Sequence, residues 1–160
     1  MSCADAKPTV LIDLDPAGSL YAPNTALLPS KQLSDGLDQL RAQGVDVAWI
    51  SAASAGYAGD IRAALNDSDL DPGSTDTLIL MRYPGDRKQT RRLALATRSC
   101  LVAIAGDERA DFDELYDHLK EPDAALALEK LISDGWFLIP SLVAPGPSPQ
   151  TIASMEEPEA

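Results

Sequence analysis

Apolar residues along this chain gather into five short runs: VLIDL at 10–14, VDVAWIS at 45–51, TLILM at 77–81, CLVAIAG at 100–106 and GWFLIP at 135–140. Nearly continuous apolar strands, as opposed to strictly alternating ones, are those covered on both faces. Helical spacing fills the intervals. Leu33, Leu37 and Leu40 share one face, and Phe112, Leu115, Tyr116 and Leu119 fit the i, i+3, i+4, i+7 template, as do Ala124, Ala127, Leu128 and Leu131. Strands separated by helices predict an α/β domain with a doubly wound, mostly parallel five-stranded sheet and helices on both faces. Two segments break this rhythm. Residues 16–30, PAGSLYAPNTALLPS, contain three prolines and no helical period, so an extended excursion, fit to serve as a flap over a site, is expected after strand one. Residues 143–160 are Pro-rich, acidic and aperiodic, which predicts a disordered tail after a domain at 1–142. No internal repeat is present.

Composition narrows the picture. A chain of 160 residues with 45% hydrophobic positions can bury one sizeable core. A formal net charge of −12 disfavours nucleic acid or an anionic membrane as partner, because phosphate surfaces demand positive charge. The exception is local: Arg82, Arg87, Lys88, Arg91, Arg92 and Arg98 cluster with only Asp86 among them as an acid. A solvated helix face explains that cluster, and so does steering of an anionic substrate. Cys3 and Cys100 form neither a CxxC motif nor a framework spacing, so reduced thiols and a cytoplasmic protein are the expectation. No apolar segment has the length of a signal peptide's core or of a bilayer span.

Sheets of this kind bind ligands beyond the carboxyl ends of their strands, where strand order reverses. Strand one ends in Asp13 and Asp15, strand two in Ser51, and strand four in GDERAD with Asp107 and Asp111; Lys88 opens the helix after strand three. Four segments thus bring carboxylates, a hydroxyl and an ammonium to one edge. Carboxylates from strands one and four (Asp13, Asp15, Asp107 and Asp111) are suited to a magnesium ion, which prefers oxygen ligands. With the charge of a phosphate screened, Asp13 is placed to attack phosphorus and form an acyl phosphate. Asp15 is the candidate acid and base, while Ser51 and Lys88 are candidates to stabilise the phosphoryl oxygens.

The order DLD, a hydrophobic strand ending in Ser, a Lys, then GDxxxD resembles the four motifs of the haloacid dehalogenase superfamily. LILMRYPGDRKQTRR, VAIAGDERADFDELYDHL and GWFLIP look like the intracellular relatives of its acid phosphatase branch. The resemblance spans roughly residues 8–140. It implies a Rossmann-like core without a large cap domain, an open site, magnesium as cofactor and a phosphorylated substrate, either a small molecule or a macromolecular end. Three positions depart from the pattern: Ala17 where Thr or Val is usual, Ala52-Ala53 after Ser51, and SLVAPG after GWFLIP. The alternative is therefore a catalytically lapsed member of the fold, acting as a phosphate-ligand binding or regulatory module. A receiver domain is excluded because TLILM ends in Met81 and Arg82 without an acceptor Asp. His118 stands alone, leaving a histidine-nucleophile phosphatase no second histidine.

Overall fold

The computed structural model describes residues 3, 6–22 and 25–143. Five parallel strands form one sheet: β1 (Pro8–Asp13), β2 (Asp46–Ser54), β3 (Thr77–Met81), β4 (Cys100–Gly106) and β5 (Trp136–Leu138), in the spatial order β3-β2-β1-β4-β5. The order reverses between β1 and β4, so their carboxyl ends flank the crevice at which such sheets bind ligands.

Both faces of the sheet are covered, as the unbroken apolar runs predict. On one face Ile12, Leu14, Val47, Trp49, Leu80 and Ala105 pack with Leu37 of helix α1 (Lys31–Ala42) and with Ile61 and Leu65 of helix α2 (Ala58–Asp67). On the other, Leu11, Ala48, Ile50, Ile79 and Ile104 pack with Leu95 of helix α3 (Lys88–Arg98) and with Phe112. Successive strand residues point to opposite faces, which is why both neighbours of each apolar pair are buried. Helix α1 starts where Ser30 accepts a hydrogen bond from Leu33 N at 3.1 Å, the N-cap arrangement. The Trp49 indole donates to Asp76 (2.9 Å), which also pairs with Arg41, so a fully buried ring has its one polar atom satisfied.

The structure departs from the sequence reading in three places. Helix α2 was not marked by a clear apolar period, because only Ile61 and Leu65 of its ten residues are buried. Residues 109–125 form three short 3-10 turns, Arg109–Asp111, Glu114–Asp117 and Pro122–Ala125, before the short helix α4 (Leu126–Glu129). Asp113 accepts from Leu115 N at 2.9 Å, a side-chain turn that competes with the helix its apolar spacing allows. Residues 16–22 and 25–30 form no helix, as expected; residues 16–19 make a turn closed by Ser19 N donating to the Pro16 carbonyl at 2.9 Å, and Leu27 bridges Val143 in antiparallel fashion. No large cap is present among the described residues; the expected tail lies, beyond Val143, outside them.

The third departure is covalent. Cys3 and Cys100 form a disulfide, Cα atoms 5.5 Å apart, against the expectation of two reduced thiols. It ties the segment before β1 to the first residue of β4, next to the Pro8↔Cys100 pairing. The two strands then change register: Thr9 pairs with Leu101 but Val10 with Ala103, leaving Val102 as a bulged residue.

Closing a loop of this length removes unfolded-chain entropy, a contribution typically of about 2–4 kcal/mol. Reduction with dithiothreitol, or Cys3→Ser, is therefore expected to lower the melting temperature relative to the untreated protein. An unchanged melting temperature would show that the bond contributes nothing.

Candidate active site

Asp13 and Asp15 sit at the carboxyl end of β1, only 4% and 5% exposed. Two carboxylates at this depth need compensation. Lys88, the first residue of α3, supplies it: Nζ lies 2.9 Å from both Asp13 oxygens and 2.6 Å from Asp15 Oδ2. Burial works against the ammonium, but the two acids outweigh it and hold Lys88 above its ordinary range. For Asp15, burial favours the neutral form and Lys88 overcomes it, so this carboxyl lies below the usual range. Asp13 goes the other way, raised by burial in spite of Lys88.

Asp15 is the most fully satisfied of the acids. Its oxygens accept from Tyr21 N (2.9 Å), Ser51 Oγ (2.7 Å) and Ala52 N (2.8 Å), in addition to Lys88. The Ser51 hydroxyl, which also accepts from Ala53 N at 3.0 Å, therefore gives its proton to Asp15 in this structure. Ala52 and Ala53, departures from the motif by side chain, take part through their backbone N–H groups.

The β4 side of the crevice is built around Asp111. Its Oδ2 accepts from Asp107 N at 3.0 Å and Glu108 N at 3.2 Å, closing the turn after β4. Gly106 is required there: a Cβ on this residue would overlap the Asp111 side chain. Burial, followed by the nearby Asp13 charge, pushes the Asp111 carboxyl up to about 8. Asp107 points its Oδ2 across the crevice to accept from Ala17 N (2.8 Å), so Ala17 also enters the site through its backbone. Asp107 Oδ1 is buried with no hydrogen-bond partner, and Asp107 lines the same small cavity as Asp13, Leu14 and Asp15.

The structure thus brings Asp13, Asp15, Ser51 and Lys88 into one network and places Asp107 and Asp111 beside it. This donor set fits a magnesium ion in kind: all oxygen, with surplus negative charge, two acids held toward their neutral forms, and one acceptor without a donor. As the side chains stand, no three acidic, His or Cys residues among those described converge as a metal site, because Lys88 and backbone N–H groups hold them.

Sequence reasoning placed Arg91 and Arg92 in the basic cluster, as a solvated face or an anion-steering patch, whereas both are nearly fully buried. Arg91 Nη1 donates to the Ser51 carbonyl (2.8 Å), and Arg92 donates to the Asp111 carbonyl (3.1 Å) and to Gln89 (2.7 Å). Arg91 braces the part of β2 whose Ser51 holds Asp15, and Arg92 braces the turn that carries Asp111. The signal was available in the spacing: Lys88, Arg91, Arg92 and Leu95 occupy i, i+3, i+4 and i+7, one face of α3. The solvated-face reading holds for Arg82, Arg87 and Arg98, which are exposed, and fails for these two.

No protein-family model and no curated protein matches the chain. Among solved structures, the class C acid phosphatase from Bacillus anthracis superposes with a TM-score of 0.62 at 17% identity, covering 86% of this chain and 68% of that one. The class C acid phosphatase from Bacillus anthracis with tungstate bound gives 0.65 at 18% identity over the same shares. The chain has the fold of these proteins, the one that its four motifs led us to expect.

Asp111 keeps its proton in the folded, metal-free protein until about pH 8, whereas the unfolded chain releases it near 3.8. The folded state binds more protons across that window, so this group's contribution to stability is full below about pH 4 and is lost as pH rises through 8. Urea unfolding of metal-free protein is expected to show that decline, and Asp111→Asn to flatten it. Gly106→Ala should destabilise the protein by about 1–3 kcal/mol, as overpacking does, in the same assay. A neutral outcome would mean that the turn accommodates the methyl group.

Proposed function

We propose that this protein is a magnesium-dependent phosphomonoesterase that uses Asp13 as nucleophile. The observation that carries the reading is Lys88 Nζ, held between Asp13 and Asp15 at 2.9 and 2.6 Å beside an Asp107 with an unpartnered oxygen. Nothing in packing requires such a set of charges. The fold shared with class C acid phosphatases supports it, and so does the tungstate in one of them, a tetrahedral oxyanion like phosphate.

Asp13, Asp107 and Asp111 would hold the ion, which Asp15 could join only by giving up Ser51 or Lys88. Bound there, magnesium would supply positive charge that lets an anionic nucleophile approach an anionic phosphate. An Asp13 oxygen bonds to phosphorus as the ester P–O bond breaks, and the leaving oxygen takes a proton from Asp15. In the second step Asp15 withdraws a proton from water, the new oxygen bonds to phosphorus, and the Asp13 carboxylate is released with phosphate. Lys88 turns its charge from the acids to the phosphoryl oxygens. Loss of Lys88 from Asp15 removes the largest influence that favours its charged form, which raises its affinity for the proton that the first step consumes. Ser51 positions Asp15, and stabilises a phosphoryl oxygen only after releasing it.

One observation favours the second reading, a lapsed enzyme that binds a phosphate ligand. Asp15 is held ionised by four donors in the resting site, and an ionised carboxylate cannot protonate a leaving group. As for location, no helix among the described residues is long and apolar enough to cross a membrane. The Cys3–Cys100 bond supports an oxidising compartment in place of the cytoplasm.

Release of phosphate from p-nitrophenyl phosphate is expected with added magnesium, to be abolished by EDTA, and to fall by at least a thousandfold in Asp13→Asn. Undiminished activity in that variant would remove the nucleophile assignment. Beryllium fluoride with magnesium, an aspartyl-phosphate mimic, should raise the melting temperature of an active protein; no turnover and no shift would leave the binding module.

A further inference from the structure

Away from the crevice, a cleft of about 500 Å³ runs along β3, the open edge of the sheet, between α2 and α3. Arg62, Arg82, Arg91 and Arg98 line it together with Leu78, Leu80 and three alanines, and no carboxylate is among the lining residues. Four guanidinium groups at one cleft are unexpected in a chain of net charge −12. Two are already engaged: Arg82 pairs with Asp86 at 3.0 Å, and Arg62 Nη1 donates to the Asp76 carbonyl at 3.1 Å. Arg91 is only partly satisfied: its Nη1 donates to the Ser51 and Ile79 carbonyls. It is 3% exposed, and its Nε and Nη2 are buried without a hydrogen-bond partner; Asp86 Oδ2 lies 3.7 Å from Nε, beyond hydrogen-bond reach.

Asp86 supplies a counter-charge to Arg91, yet two donors on a buried guanidinium stay without a hydrogen bond, which costs free energy. The planar fork of Arg matches phosphate oxygens in pairs. Arg91 and Arg98 are seven residues apart on α3, about 10 Å along the axis, with Arg62 on the facing helix. One phosphate cannot reach all of them, whereas several linked anionic groups can. The volume is that of a small-molecule site, with small apolar side chains between the charges.

We propose that this cleft binds an oligophosphate, a ligand with three or more linked phosphate groups such as inorganic triphosphate or the phosphate chain of a nucleotide. Arg98, Arg62 and Arg82 take the phosphates at the surface of the cleft, and Arg91, buried beneath them, adds its charge from the floor. The site is separate from the catalytic crevice, and its occupancy does not require turnover.

Titration calorimetry of the full chain with inorganic triphosphate, in EDTA and 0.15 M NaCl, tests this. One triphosphate per chain is expected, bound at least tenfold more tightly than orthophosphate. Arg98→Glu, at an exposed position, and Arg62→Gln should each weaken it tenfold or more, while Asp13→Asn should leave it unchanged. Absence of triphosphate binding, equal affinity in both arginine variants, or loss of binding in Asp13→Asn would overturn the proposal. So would tighter binding of a hexaglutamate peptide, which would make the edge of β3 a docking strand for acidic protein segments.

Discussion

The ion pair of Lys88 with Asp13 and Asp15 is the constraint around which the domain is arranged. Placing two carboxylates at the end of a central strand, with a third and fourth across the crevice, is tolerable only if a cation stands among them. That cation is the first residue of α3, so the helix must begin at the crevice and run back along the face opposite to α1 and α2. Leu95 then packs on Leu11, Ile50 and Ile104, and Arg91 and Arg92 come to rest beneath Ser51 of β2 and the turn after β4. A helix placed by electrostatics at one end thereby serves as the cover of a hydrophobic layer along its length.

The turns are joined to one another as well as to α3. Ala17 N donates to Asp107, and Asp15 gathers Tyr21 N, Ser51 and Ala52 N. Every carboxylate of the site thus has a second task, satisfying backbone donors in a loop. This explains how the motif departures at Ala17, Ala52 and Ala53 are absorbed: the contacts there come from peptide N–H groups, which any residue but proline supplies.

Strands, their order in the chain and the residues at their carboxyl ends were legible from the sequence, because buried parallel strands are marked by apolar runs and acids at their ends are conspicuous. Helix α2 was harder to see, with alanines and polar residues around just two buried positions, Ile61 and Leu65. Between 109 and 131 the apolar spacing was helical, yet side-chain turns such as that of Asp113 broke the chain into 3-10 pieces. The Cys3–Cys100 bond joins positions 97 residues apart, a separation that carries no local signature. Nor could the sequence show that the Ser51 proton is given to Asp15, since hydrogen-bond direction follows from placement rather than from residue type.

The bulge at Val102 acts as a vernier. It advances β4 by one residue relative to β1, so Ile12 faces Ala105 and not Ile104. Were the ladder unbroken, Asp107 would stand one step of about 3.3 Å farther from Asp13, with the alternation of side chains beyond the bulge out of phase. The spacing of the acids across the crevice is therefore set at the far end of the sheet, in the short stretch between an extra residue and the covalent tie at Cys100.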